Sequence, residues 1–457
     1  MPQDHGYMSG FMGPVPDEIE AINLEVTGSL PIELNGRYFR NGANPLPGTD
    51  PGHNFTGQGM IHGIRLKDGR AEWYRNRWVR TPTMQGARSF RQDGTRDLTA
   101  SVANTHIINH ANQILALVET CVPYRMSPDL ETLGPWDFGG RLKTPMTAHP
   151  KEDPATGDLH FFGYGTMPPF LTYHVVSAKG ELVHSSEVAV TGPTMMHDFA
   201  ITENHVVWLD LPVVFDMALT RQPGMPFRWS DSYPARLGVM QRKGNERDVR
   251  WFDVKPGYAF HIGNAHEDSE GCIILEAVRY DKQSFNTIWR DLGGVSTLSD
   301  DLANFPTTGG NLYRWVLDPV TNTVSEQTID DLGIEFPTIN SAHVGHGYRH
   351  VYAVNTPLLS ERAGPKVVKY DLKSGSKQIH ELERGWIPGE AVFVPAKGAT
   401  AEDHGWVASI ITHQTEDKAQ LLVLDAGDLG GKAVASVKLP RRVPAGFHGS
   451  WIQDADA

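Results

Sequence analysis

Twenty histidines run through this 457-residue chain, and four of them sit in short apolar or glycine-bracketed segments that would pin an imidazole. The segments are Thr147-Ala148-His149-Pro150, Met195-Met196-His197-Asp198-Phe199, Phe260-His261-Ile262-Gly263-Asn264 and Gly446-Phe447-His448-Gly449-Ser450-Trp451. Neutral imidazole is a ligand for Fe, Zn, Cu and Ni. Four of them leave the full charge of a divalent ion on the metal, with open positions where the geometry is octahedral. Ligand type alone does not choose among these metals. His149, His197, His261 and His448 are too far apart in the chain for one helix or loop to gather them. A shared ion therefore requires a closed architecture that brings distant strands to one axis, and a propeller is such an architecture.

A ligating imidazole needs its second nitrogen held, commonly by a carboxylate. Glu119 in Leu117-Val118-Glu119-Thr120, Glu335 in Ile334-Glu335-Phe336-Pro337 and Glu390 in Gly389-Glu390-Ala391-Val392-Phe393 stand in apolar settings where an ionised group is costly unless paired. Two other histidine groups compete. His343, His346 and His350 lie in a glycine-rich stretch leading to a strand. His106 and His110 share one face of an expected strand, too far apart to chelate easily. A lone strand histidine is more often hydrogen-bonded than ligating, and both groups are expected to be structural or solvent-facing. There is no His-Glu-x-x-His, no Gly-x-Ser-x-Gly and no dinucleotide fingerprint; Gly63 comes one residue too late after Gly57-Gln58-Gly59.

The elements that would position these groups read as strands. Short runs with turn residues between them recur at 158–164, 171–175, 182–190, 200–201 and 206–209, and again at 312–317, 350–354, 367–372, 406–411 and 421–424. Only 215–220 and 299–304 suggest short helices, so the expected fold class is all-β. No strict repeat fixes the number of blades.

Gly 46 and Pro 31 are spread along the chain rather than gathered in a linker, so one domain over 1–457 is expected, with 1–20 as an extended N-terminal segment. A net charge of −13 argues against a nucleic-acid partner. Cys121 and Cys272, the two cysteines, form no C-x-x-C pair and suit a reducing compartment. No secretory signal or bilayer-spanning apolar run is visible. The expectation is a soluble cytoplasmic protein with possible peripheral membrane contact, because Pro212-Val213-Val214-Phe215 and Met225-Pro226-Phe227 put apolar residues in expected loops.

Taken together, these segments resemble the carotenoid cleavage oxygenase family, which includes lignostilbene dioxygenases and the retinal pigment epithelium isomerase. The resemblance runs from Asn35-Gly36-Arg37-Tyr38-Phe39-Arg40-Asn41-Gly42 through His53-Asn54-Phe55-Thr56-Gly57-Gln58-Gly59-Met60, the segments of His149 and His197, Glu335-Phe336-Pro337 and Glu402-Asp403-His404-Gly405-Trp406 to Gly446-Phe447-His448-Gly449. It covers almost the whole chain. It implies a seven-bladed β-propeller with one Fe(II) on its axis, O2 as co-substrate and a capping layer of loops and short helices around an apolar tunnel. His149, His197, His261 and His448 match the family's iron ligands, and Glu119, Glu335 and Glu390 match the carboxylates that orient them. Thr105 falls where the family has a side chain near an open iron position, and Phe55 on a substrate-contacting aromatic.

Two departures bear on function. The family's Asp in Gly-Asp-Gly-Met is Gln58 here, with a structural effect expected. Stilbene-cleaving members place a lysine before the glutamate and a tyrosine upstream; here Val118 precedes Glu119, and 89–97 contains no tyrosine. A small apolar conjugated substrate, a carotenoid or apocarotenoid, is therefore expected in the tunnel by Phe55 and Val118, with Met167, Phe170, Phe215 and Phe227 as further lining. Oxidative cleavage of its double bond would give carbonyl products with no side chain acting as acid or base. The alternatives are a stilbene or phenylpropenoid dioxygenase on the same scaffold and a non-catalytic carrier of apolar ligands. Oligomeric state is not readable.

Overall fold

Strands dominate the computed structural model, which describes residues 6–89, 95–222, 224–299, 309–355 and 364–454. Seven antiparallel sheets of four or more strands follow one another along the chain as the blades of a β-propeller. Innermost strands meet across several of the blade boundaries, among them the fourth with the fifth, the fifth with the sixth and the first with the second. The third blade runs Lys151–Glu152, Leu159–Tyr164, Leu171–Val176 and Leu182–Glu187. The fifth runs Tyr258–Glu267, Ile273–Tyr280, Asn311–Asp318 and Thr323–Thr328.

Burial explains why the strand signal is uneven. Blades stack face to face, so both faces of a middle strand are covered and its sequence is not obliged to alternate. Leu171–Val176 is buried at every position. Alternation survives toward the rim, where Leu182–Glu187 alternates covered or half-covered residues with exposed ones and Thr323–Thr328 is largely exposed. Between the third and fourth blades, Phe199 stacks on Trp208 at 5.5 Å and Phe162 meets the same indole edge-on at 6.0 Å.

The ring is closed by exchange of its ends. Val26–Gly28 pairs with Ala435–Lys438 in the seventh blade, while Gly449–Gln453 pairs with Gly36–Ala43 in the first. The 1–20 segment, expected to be extended, carries 3-10 turns at Gly6–Met8 and Gly10–Met12, with Tyr7, Met12 and Val15 buried.

Insertions between strands cap the axis. Within the fourth blade, Val213–Phe215 and Phe227–Trp229 form a two-stranded ribbon. The helix expected at 215–220 is instead the end of this ribbon followed by a 3-10 turn, Met217–Arg221. An α-helix that the sequence reading did not anticipate, Lys282–Asp291, projects from the fifth blade. Its signals are local: the Asp281 carboxylate accepts from the Ser284 amide at 2.8 Å, and Phe285 and Trp289, four apart, turn inward and are fully buried. The other helical expectation, 299–304, lies outside the described residues apart from its first.

Candidate metal centre

Each of the four histidines is placed at or beside the innermost strand of a blade. His149 precedes Lys151–Glu152, His197 precedes Ala200–Ile201, His261 lies within Tyr258–Glu267, and His448 leads into Gly449–Gln453. All are buried, and one nitrogen from each falls within 4.8 Å of the others. The segments are tied to one another. The Asp198 carboxylate, 2% exposed, takes Lys151 Nζ at 2.7 Å and the Ile262 amide at 2.9 Å, so one side chain joins the stretches that carry His149, His197 and His261. Asn41 joins the fourth: its amide donates to the His448 carbonyl at 2.9 Å, and its side chain reaches the Ala103 carbonyl at 2.8 Å.

Three carboxylates back three of the rings. His197 Nδ1 lies 2.6 Å from Glu119, His261 Nδ1 2.5 Å from Glu335, and His448 Nδ1 2.8 Å from Glu390. Each glutamate is itself fixed. Tyr164 donates to Glu119 at 2.7 Å, Tyr280 and the Phe336 amide donate to Glu335 at 2.8 and 2.6 Å, and the Gly449 amide donates to Glu390 at 2.7 Å. The sequence reading named the three glutamates and missed the two tyrosines, which lie on other strands.

The hydrogen-bond pattern tests whether these residues fit a metal. With Nδ1–H of His261 and of His448 given to carboxylates, Nε2 of each ring carries a lone pair. Those two Nε2 atoms are 3.1 Å apart, acceptor facing acceptor, an arrangement that a cation between them satisfies. His149 and His197 bring their Nε2 atoms to 3.0 Å, and Glu119 on Nδ1 of His197 leaves the lone pair of that ring on Nε2. Burial favours the neutral, ligating form. It pulls His261 down to about 3 and His149 well below the usual imidazole range, reinforced at both by His197. His448 is also lowered by burial, against the pull of Glu390. At His197 burial acts in the same direction, but Glu119 outweighs it and leaves the ring raised. Burial drives Glu335 up to about 7, opposed by its donors, whereas Glu390 is lowered because His448 overcomes its burial.

The cluster opens on a cavity of about 720 Å³ with a mainly apolar wall. Thr105, Phe55 and Val118 are all in that wall, as are Met167, Phe215 and Phe227. Phe170 is not; its carbonyl closes a turn by accepting from the Gly165 amide at 3.0 Å. Phe55 lies parallel to His197 at 6.4 Å. Thr105 Oγ1 is held by Asn104 Oδ1 at 2.9 Å. The shortest aromatic contact from the wall to a ligating ring comes from Phe336, which had no role in the sequence reading: it stacks on His261 at 5.1 Å and meets His448 edge-on at 5.2 Å, from a backbone with φ of 53°. Its signal was adjacency to Glu335.

The competing histidines divide. His110 is bound to Glu152 at 2.7 Å and His343 to the Gly347 carbonyl at 3.0 Å, both away from the cluster. His106 is closer than expected. Its ring centre is 5.2 Å from that of His448, with Nδ1 on the Ala148 carbonyl at 2.9 Å, so it buttresses the site. For Gln58 the described contact is through the backbone, whose carbonyl accepts from the Asn44 amide at 2.7 Å. The adjoining Gly59 is needed for close approach, since a Cβ there would meet the Ala103 carbonyl at 2.3 Å.

Known proteins match this chain over nearly its whole length. The family described as retinal pigment epithelial membrane protein matches residues 12–453. A carotenoid cleavage oxygenase of Mycobacterium tuberculosis is 37% identical, covering 97% of each chain. Among solved structures, the lignostilbene dioxygenase of Pseudomonas brassicacearum superposes with a TM-score of 0.85 at 28% identity, over 99% of each chain. A cobalt-substituted apocarotenoid oxygenase of Synechocystis gives 0.81 at 28% identity, over 96% of this chain and 97% of that one. With a seven-bladed ring, a buried four-histidine cluster able to hold a metal and near full-length relatedness, the chain belongs to the carotenoid cleavage oxygenase family and is a cleavage dioxygenase of that type.

Proposed function

We propose that His149, His197, His261 and His448 hold one Fe(II), and that the enzyme cleaves a carbon–carbon double bond of a carotenoid or apocarotenoid with O2, giving two carbonyl fragments. The observation that carries this reading is the convergence of four buried imidazole nitrogens at the wall of an apolar cavity. Bound iron supplies the redox chemistry with O2. The chain supplies the rest. Glu119, Glu335 and Glu390 set ring orientation and keep Nε2 free for the metal. Phe55 and Phe336 press aromatic faces on the cluster and keep water from it, and the wall binds the polyene by its apolar surface. No side chain is asked to move a proton.

Val118 favours a polyene over a hydroxystilbene. It is 5% exposed, precedes Glu119 and lies in the cavity wall, so it offers methyl groups where a phenol would need an ammonium. Incubating the iron-loaded enzyme with a panel of apocarotenals and with a hydroxystilbene, followed by mass spectrometry, is expected to yield aldehydes from the former. Turnover of the stilbene alone reassigns the substrate, and no oxygen consumption with either leaves a carrier. His197→Ala is expected to lose both iron and cleavage; a variant retaining both refutes the ligand assignment.

A further inference from the structure

Among the described residues that line the cavity, Arg40 and Arg96 carry a permanent positive charge. Arg40 is sealed by its neighbours: it is 2% exposed, and the backbone of Gly446 lies against its guanidinium. Arg96 is half-buried and differently placed. Its Nη2 donates to the Thr120 carbonyl at 2.6 Å, and its Nε is closed off without a partner. Nη1 has no partner among the described residues and, unlike Nε, is not closed off.

The guanidinium end of Arg96, and not its stem alone, stands at the wall. Thr120, which accepts from Nη2, is a wall residue, and so is Gly165, where a Cβ would lie 4.0 Å from Nη1. With glycine at that position no side chain from it covers Nη1. No carboxylate of the wall offsets the charge. Glu119 is committed to Tyr164 and His197, and Glu335 to Tyr280, His261 and the Phe336 amide. Burial pulls the guanidinium down, and the groups that act against it are Cys121 and Tyr164, neither of them an acid of the carboxylate kind. A guanidinium donates and never accepts. What Nη1 lacks is therefore an oxygen acceptor, and a hydrocarbon pressed against it would leave the donor unpaired.

Its place in the wall is also informative. Thr120 follows Glu119 in the chain and Gly165 follows Tyr164, the pair that holds His197 Nδ1. Arg96 thus sits on the His197 side of the cavity, and Thr166 adds a hydroxyl to the same stretch of wall.

We propose that Arg96 receives the terminal carbonyl oxygen, aldehyde or acid, of an apocarotenoid, and so selects an oxygen-ended chain over a hydrocarbon-ended carotene. The inference rests on the proposed function, because it takes the cavity to be the substrate tunnel. A chain held by its oxygen lies in one direction past the four histidines, and the position of the cut is counted from that end.

The test uses three ligands with one polyene: β-apo-8′-carotenal, the corresponding acid, and the hydrocarbon in which a methyl group replaces the aldehyde. Binding to the metal-loaded enzyme is followed by quenching of tryptophan fluorescence. The aldehyde and the acid are expected to bind at least about tenfold more tightly than the hydrocarbon, and Arg96→Met is expected to bring all three within about twofold. A purely structural role would weaken the three alike. Arg96→Lys keeps a charged donor and is expected to retain part of the preference, most of it for the acid; should Arg96→Met not fold, this variant and the wild-type ratios decide. Equal affinity for the three in the wild type, or a preference that survives Arg96→Met, overturns the inference. Arg96-dependent binding of a hydroxystilbene with no preference among the three polyenes overturns it as well, in favour of a phenol. Turnover separates it from the proposed function. Cleavage of the hydrocarbon as readily as the aldehyde leaves the function standing and this site rejected, whereas an Arg96-dependent preference in binding without cleavage of any ligand does the reverse.

Discussion

Glu335 shows how much of a metal site lies beyond its ligands. Oε2 receives His261 Nδ1 and the Phe336 amide, and Oε1 receives the Tyr280 hydroxyl. A glutamine can preserve both bonds at Oε2 and turn the tyrosine hydroxyl round to accept, so Glu335→Gln removes the charge with little change in geometry. Metal affinity is expected to fall about tenfold, at the lower end of the usual effect of such partners, as measured by competition with a chelator. Tyr280→Phe deletes one bond to the carboxylate and is expected to cost about 1 kcal/mol of stability with metal binding retained. The histidines and glutamates were legible in the sequence because each is bracketed by residues that make an exposed, unpaired role implausible. Asp198 and Phe336 stood in the same segments without showing their function, since what they do depends on Lys151, Ile262 and His261, which only the closed ring brings near.

Among the elements, the α-helix Lys282–Asp291 is the one whose absence from the sequence reading is instructive, for the cap at Asp281 and the spacing of Phe285 and Trp289 were there to be read. A search tuned to short strands passes over one helix of 10 residues. The helix matters because Trp289 is fully buried, sits 4.6 Å from His53 and 5.9 Å from Phe55, and donates to the Phe227 carbonyl at 3.1 Å. It therefore holds the aromatic that faces His197. Trp289→Ala is expected to cost about 3–5 kcal/mol and to raise KM through a displaced Phe55, seen by thermal unfolding and steady-state kinetics. The seam between the fourth and fifth blades has a pH signature. Glu267 takes Thr202 Oγ1 at 2.5 Å and the Asn204 amide at 3.0 Å, and these bonds bring its carboxyl down to about 2 in spite of its burial. A depressed carboxylate stabilises the fold fully above the unfolded value of 4.5 and ceases to do so as pH falls toward 2. Glu267→Gln is expected to flatten stability across that window and not above it, as followed by tryptophan fluorescence during acid titration.

The whole molecule presents its cavity to solvent through an apolar rim. Met167 is 71% exposed and Met217 67%, and both belong to the cavity wall. The loops expected to carry an exposed apolar patch instead bury Val213 and turn Phe215, Met225 and Phe227 toward the tunnel, so the outward surface falls to the methionines. No helix among the described residues is long and apolar enough to cross a membrane. Replacing both methionines by aspartate is expected to reduce co-sedimentation with phosphatidylcholine vesicles. All-β class was readable from the strand texture, but the ring of seven was not, because strands range from Lys151–Glu152 to the 10-residue Tyr258–Glu267 and no period survives that variation.

The exchange of ends that shuts the ring also fixes when the metal can be captured. His448 immediately precedes Gly449–Gln453, the strand that completes the first blade by pairing with Gly36–Ala43, so the fourth imidazole is fixed at the axis only when these two strands, distant in sequence, have met. The complete set of four nitrogens therefore exists only once the ring has shut, and a chain without that strand has no full nest for a metal.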